Sequence, residues 1–181
     1  MNTALLIIDM QADMQDRLDS GRDHVNGNTG AVIARLAEQA RAANIPVIHI
    51  RHSENDPVSP FYPTAPGFQP MPSVEERAGE AVFVKTSSSA FATTGLESHL
   101  RSHAITRLVV TGAVAGFCVT STVRAASDLG FHVTLVRDAV LGFDLPSANL
   151  SAQQIFDVSM ALLAADFAEL VESPTALAQL A

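Results

Sequence analysis

The chain has 181 residues, of which 48% are hydrophobic and 17% charged, and its formal net charge is −8. That content suits a folded core and argues against disorder, and the acidic balance weighs against nucleic acid, whose binding relies on basic patches. No apolar run approaches the ~20 residues of a membrane span, so no membrane partner is expected. The first eight residues hold no basic region and Asp9 interrupts the apolar stretch, so the sequence reads without a signal peptide. With Cys118 as the single cysteine there is no internal disulfide, which fits a reducing cytoplasm. Repeats, low-complexity tracts and linkers are missing, and residues 1–181 read as one domain.

In chain order, ALLIID (4–9) reads as a short buried strand. Residues 28–44 carry Val32, Ile33, Leu36, Ala37 and Ala40 on one face, the pattern of an amphipathic helix with a polar start at Asn28 or Thr29. PVIHI (46–50) and AVFVK (81–85) are the second and third strands. Between them lies a long segment, 51–74, with six of the nine prolines, which predicts a lid, a binding loop or a subunit contact. Residues 94–103 predict a helix and RLVVTG (107–112) the fourth strand. Residues 118–130 predict a helix closed by Gly130. HVTLVRDA (132–139) is the fifth strand, 151–165 the last long helix, and 167–171 the sixth strand. Alternating helices and nearly continuous apolar strands predict a three-layer α/β/α, doubly wound and mainly parallel six-stranded sheet. Ligands bind such sheets beyond the carboxyl ends of the strands.

Three polar residues stand at those ends. The first strand finishes in Asp9, the third in Lys85, and the turn after the fourth leads to Cys118. A carboxylate, an ammonium and a thiol on one rim make a nucleophilic site. A helix start and a nearby lysine both favour the thiolate, so a depressed Cys118 pKa is expected. Asp9 can take the thiol proton and return it to a leaving amine. Each residue also has a structural reading: Cys118 as a small core side chain, Asp9 as a turn cap, Lys85 as a surface lysine with a buried stem.

At these residues the sequence resembles the isochorismatase-like, or cysteine hydrolase, superfamily. LLIIDMQ (5–11) is similar to that family's opening strand, and 83–140 to its central block. The resemblance implies catalytic Asp9, Lys85 and Cys118, a cis peptide at Ala113–Val114, and an oxyanion hole made by the N–H groups of Val114 and Cys118. It implies hydrolysis of a carbonyl C–N bond (amide, lactam or ureide) through a thioester, without a cofactor, on a small-molecule amide-type substrate. A homodimer or homotetramer is implied as well. The short length and proline-rich loop resemble the streptothricin hydrolase branch, which would suit a cationic substrate. Two alternatives remain: a vinyl-ether hydrolase using Asp9, and a catalytically silent binding protein on the same fold.

The metal motif of nicotinamidases, Asp-x-His, does not appear; the corresponding residues are His49, Ile50, Arg51 and His52, so no metal is expected. Strand alternation puts His49 and His52 on opposite faces, with His52 as a candidate substrate contact. Further candidates for the pocket are Phe91, Phe117 and Phe143, with Phe61, Tyr62 and Phe68 from the long segment. Gln11, two residues after Asp9, either bonds substrate or satisfies the turn. TGAVAG (111–116) lacks the glycine spacing of a dinucleotide site, so no nicotinamide cofactor is expected.

Overall fold

The computed structural model describes residues 2–181; Met1 lies outside that description. Its seven strands are β1 (Asn2–Ile8), β2 (His24–Val25), β3 (Val47–His52), β4 (Ala81–Lys85), β5 (Ile105–Ala113), β6 (His132–Phe143) and β7 (Glu169–Val171). Six helices accompany them: α1 (Ala12–Asp19), α2 (Thr29–Ala42), α3 (Leu96–Ser102), α4 (Thr120–Asp128), α5 (Ala152–Asp166) and α6 (Ser173–Gln179). The sheet runs β2-β6-β5-β1-β3-β4, and β7 also pairs with β6. Every pairing is parallel except β2 with β6.

Period-two alternation along β1 builds both apolar layers at once. Leu6 and Ile8 face one layer with Leu100 of α3, Val123 of α4 and Phe156 of α5. Leu5 and Ile7 face the other with Ile33 and Leu36 of α2 and Leu180 beyond α6. A central strand buried on both faces is what a near-continuous apolar run is for, and each fully buried Leu or Ile contributes roughly 1.5–3 kcal/mol.

The sheet has one strand more than the sequence predicts, and two helices besides. The added strand β2 is two residues long and carries no pattern of its own. Helix α1 was missed because ADMQDRLD buries little besides Met14 and lacks an apolar stripe. Helix α6 is seven residues long and begins with a proline in its first turn, too short to show a helical period. Strand β6 runs on to Phe143 rather than ending at Ala139. Its pairing with β5 jumps from Val110↔Leu135 to Gly112↔Val140, so residues 136–139 bulge out and the alternation resumes beyond them.

Parallel strands put their carboxyl ends on one rim. Between β1 and β5 the backbones come so close that a Cβ on Gly112 would lie 2.1 Å from the Ile8 carbonyl oxygen, and Gly112 has φ +121°. Only glycine fits that approach. The segment after β3 folds back onto the start of α1: the Ala12 N–H donates to the Gln69 carbonyl at 2.8 Å and the Met71 N–H to the Met10 carbonyl at 2.9 Å. No described helix is long and apolar enough to cross a membrane.

Candidate active site

Asp9 is the residue after β1 and takes φ 49°, a left-handed conformation that aspartate tolerates better than most residues. Its N–H donates to the Ile50 carbonyl at 2.9 Å, which ties it to the end of β3. Lys85, the last residue of β4, is completely buried. A buried lysine is rare unless paired. Its Nζ donates to Asp9 Oδ2 at 2.7 Å and to Cys118 Sγ at 3.2 Å, and lies 3.4 Å from His52 Nδ1. An ammonium has three N–H donors, and these three neighbours use them all. Within this network Nδ1 of His52 is the acceptor, and its Nε2 donates to Glu54 Oε1 at 3.2 Å.

Cys118 sits in a single π-helical turn, Ala115–Val119, that leads into α4. Such turns are frequent at functional sites. The peptide bond Ala113–Val114 before it is cis. Burial, aided by the Asp9 charge, pushes the Cys118 thiol up to about 12, against the opposing pull of Lys85. This corrects the expectation of a depressed thiol pKa. Helix start and ammonium are both at hand, but desolvation of a thiolate beside a carboxylate outweighs them. Burial also raises the Asp9 carboxyl above its ordinary range, opposed by Lys85 and the Cys118 thiol. Asp9 Oδ1 is buried without an aligned hydrogen bond to any described residue. A carboxylate of raised basicity therefore stands beside a protonated thiol.

Asp9 and Cys118 open onto a cavity of about 300 Å³, which the completely buried Lys85 does not line. Asp9, His52, Val114 and Cys118 line its floor, and Phe61, Phe117 and Phe143 its apolar walls. Of the expected contacts, Phe91, Gln11, Tyr62 and Phe68 fall elsewhere. Phe91 stacks on Phe131 with ring centroids 5.9 Å apart and packs against the core. Gln11 is fully buried, and its amide is spent on backbone. It donates from Nε2 to the carbonyls of His52 and Phe68, both at 3.0 Å, and accepts the His52 N–H at 2.8 Å. The turn reading of Gln11 is the one the geometry supports: it straps the segment after β3 to the start of α1. From that segment Phe61 reaches the cavity, while Tyr62 and Phe68 do not line it.

His49 and His52 serve different clusters. His49 Nε2 lies 3.0 Å from Glu80 Oε2, away from the Lys85 network. No described group of three or more His, Cys, Asp or Glu residues is arranged to hold a metal ion.

Sequence reasoning missed Arg17, Arg22, Glu54, Ser88 and Asp144, all of which line the cavity. Arg17 lies on the missed helix α1 and Arg22 just beyond it. Asp144 follows the stretch of β6 beyond Ala139, past the interruption of its alternation. The remaining signal was the spacing of arginines 8 and 13 residues after Asp9, which without α1 had no direction.

A family model, the isochorismatase domain, matches residues 3–170. The chain is 32% identical over 171 residues to the isochorismatase family protein YrdC of Bacillus subtilis (strain 168), spanning 93% of this chain and 90% of that protein. It is 27% identical over 190 residues to the ureidoacrylate amidohydrolase RutB of Variovorax paradoxus (strain S110), spanning 87% and 75%. A crystal structure of an isochorismatase-family protein from Chromobacterium violaceum ATCC 12472 superposes with a TM-score of 0.91 at 36% identity, covering 99% of this chain and 93% of that one. With a parallel sheet, a rim of strand-end polar groups and matches that run almost from end to end, the chain belongs to the isochorismatase family of hydrolases.

Proposed function

We propose that this chain is a cysteine hydrolase that cleaves a carbonyl C–N bond of a small amide-type substrate through a thioester on Cys118. The observation that carries the reading is the buried Lys85, whose Nζ touches both the Asp9 carboxylate and the Cys118 sulfur. A lysine in that position pairs with the Asp9 carboxylate and stands ready to stabilise negative charge on the sulfur as its proton passes to Asp9. The amidohydrolase activity in the name of the RutB relative points the same way.

The enzyme rests with Cys118 as a thiol and Asp9 as a carboxylate paired with Lys85. As Sγ attacks the carbonyl carbon, its proton passes to Asp9, whose raised basicity suits it to accept. The oxyanion of the tetrahedral intermediate is held by the N–H groups of Val114 and Cys118, each such donor being worth roughly 3–4 kcal/mol in related chemistry. The intermediate collapses as the C–N bond breaks and Asp9 returns the proton to the departing nitrogen. Water then attacks the thioester, with Asp9 again accepting a proton, and the acid leaves as the thiol re-forms.

An ammonia-release screen over small amides, ureides and lactams, run with wild type and Cys118→Ala, tests this. Turnover of at least one class by wild type, reduced in the variant by about a thousandfold or more, is expected. A Cys118→Ala protein that retains turnover, of an amide or of a vinyl ether such as isochorismate, would contradict it.

A further inference from the structure

The cavity that holds the nucleophile is lined by two arginines, Arg17 and Arg22, together with the acids Glu54 and Asp144. Arg17 sits on α1 with its Nε 2.7 Å from Asp13 Oδ2, one turn earlier on the same helix. Its guanidinium carbon lies 5.7 Å from the centroid of the Phe61 ring and 5.9 Å from that of Phe143. Arg22 leans on the same Phe143 ring at 5.2 Å. Arg22 is committed to the protein: its Nε donates to Asp144 Oδ1 at 2.7 Å and its Nη2 to the Asp144 carbonyl at 2.8 Å.

Arg17 is not committed in that way. Neither Nη group donates to a described residue, and the side chain lines the cavity at 30% exposure. A guanidinium held by its Nε leaves the paired Nη edge free, and that edge matches the two oxygens of a carboxylate. The two rings and Asp13 fix it in advance, so little side-chain entropy is lost when a ligand docks.

The Nη edge of Arg17 is thus a guanidinium edge on the cavity that no described residue occupies. Asp9 is engaged by Lys85 and Asp144 by Arg22. Glu54 is engaged by His52 and is nearly half exposed to solvent. A carboxylate of a ligand complements that edge, despite the net charge of −8 on the whole chain. The surface charge of a protein does not fix the sign inside one cavity.

We propose that Arg17 is a substrate-binding residue and that the substrate carries a carboxylate as well as the scissile amide. In calling the ligand a substrate this rests on the hydrolase reading; the anion preference itself does not. The test is calorimetric binding of two probes to the Cys118→Ala protein: succinamate, which has one amide and one carboxylate, and succinamide, its neutral analogue. Succinamate is expected to bind at least about tenfold more tightly. Arg17→Gln in the same background should remove the preference. Arg17→Lys should keep only part of it, because a lysine cannot offer the paired edge; it also answers the question should Arg17→Gln fail to fold. Equal affinities, tighter binding of succinamide, binding of neither at millimolar concentration, or a preference that survives both substitutions would overturn the proposal. Ammonia release from succinamate by the intact enzyme is measured separately. A carboxylate preference without turnover of any amide would leave Arg17 assigned and break the hydrolase reading. Amide turnover without that preference would do the reverse.

Discussion

Asp9 acts on Cys118 in two opposed ways. Its charge helps burial to hold the thiol protonated, and its basicity takes the proton away when the sulfur attacks. The two effects separate in Asp9→Asn. Removing the charge lowers the Cys118 pKa, so alkylation by iodoacetamide at neutral pH should become faster than in wild type. Removing the base should at the same time cut amide turnover by at least about a hundredfold. Slower alkylation together with lost turnover would mean that Asp9 instead favours the thiolate. The trio itself was legible in the sequence, because each member ends a strand or follows one and a parallel sheet collects such ends on one rim. Gln11 was open in the sequence because an amide two residues after Asp9 can turn either way. Three hydrogen bonds to the backbone of His52 and Phe68 decided it. Arg17 was illegible for want of its helix.

Among elements, the pairing of β1 with β5 sets how the rim is assembled. Gly112 pairs with Ile8 and has no room for a methyl group beside the Ile8 backbone. Gly112→Ala should destabilise the protein by at least about 3 kcal/mol, combining overpacking with a positive φ that alanine resists. Denaturant unfolding measures it; a loss below about 1 kcal/mol would show that the two strands can part without cost. The long central strands and the helices with a clear apolar face were readable, since their period is strong: Val32, Ile33, Leu36, Ala37 and Ala40 of α2 are all buried as expected. Where polar residues interrupt the period for a local purpose, the pattern failed. Asp138 in the β6 bulge turns out to accept the Ser173 N–H at 2.7 Å at the start of α6. One interruption thus hid both the end of a strand and the beginning of a helix.

Across the whole molecule, acid sensitivity gathers at Glu80, on the side chain network that joins α2 to β3. Burial alone would raise its carboxyl, but Arg41, the Arg77 N–H and His49 outweigh that and hold it at about 2. Folding therefore favours the ionised form. The stabilisation is complete above the ordinary value of 4.5 and is lost as pH falls toward about 2. Burial likewise keeps His49 below its ordinary 6.5, so the unfolded chain takes up that proton first and stability already begins to fall below that pH. Glu80→Gln should cost roughly 2–3 kcal/mol at pH 7 and flatten the stability curve between about 4.5 and 2. An unchanged acid limb in urea unfolding at several pH values would place the acid sensitivity elsewhere.

The central claim is that Cys118 carries the acyl group during turnover, and intact-protein mass spectrometry after rapid acid quench tests it most directly. With an amide that the wild-type enzyme hydrolyses, the expected result is a protein mass raised by the acyl fragment, located on the peptide containing Cys118. The adduct should form as the amine is released, decay when substrate runs out and be missing from Cys118→Ala. Turnover without any adduct at Cys118, in a protein whose Cys118→Ala variant remains active, would contradict the claim.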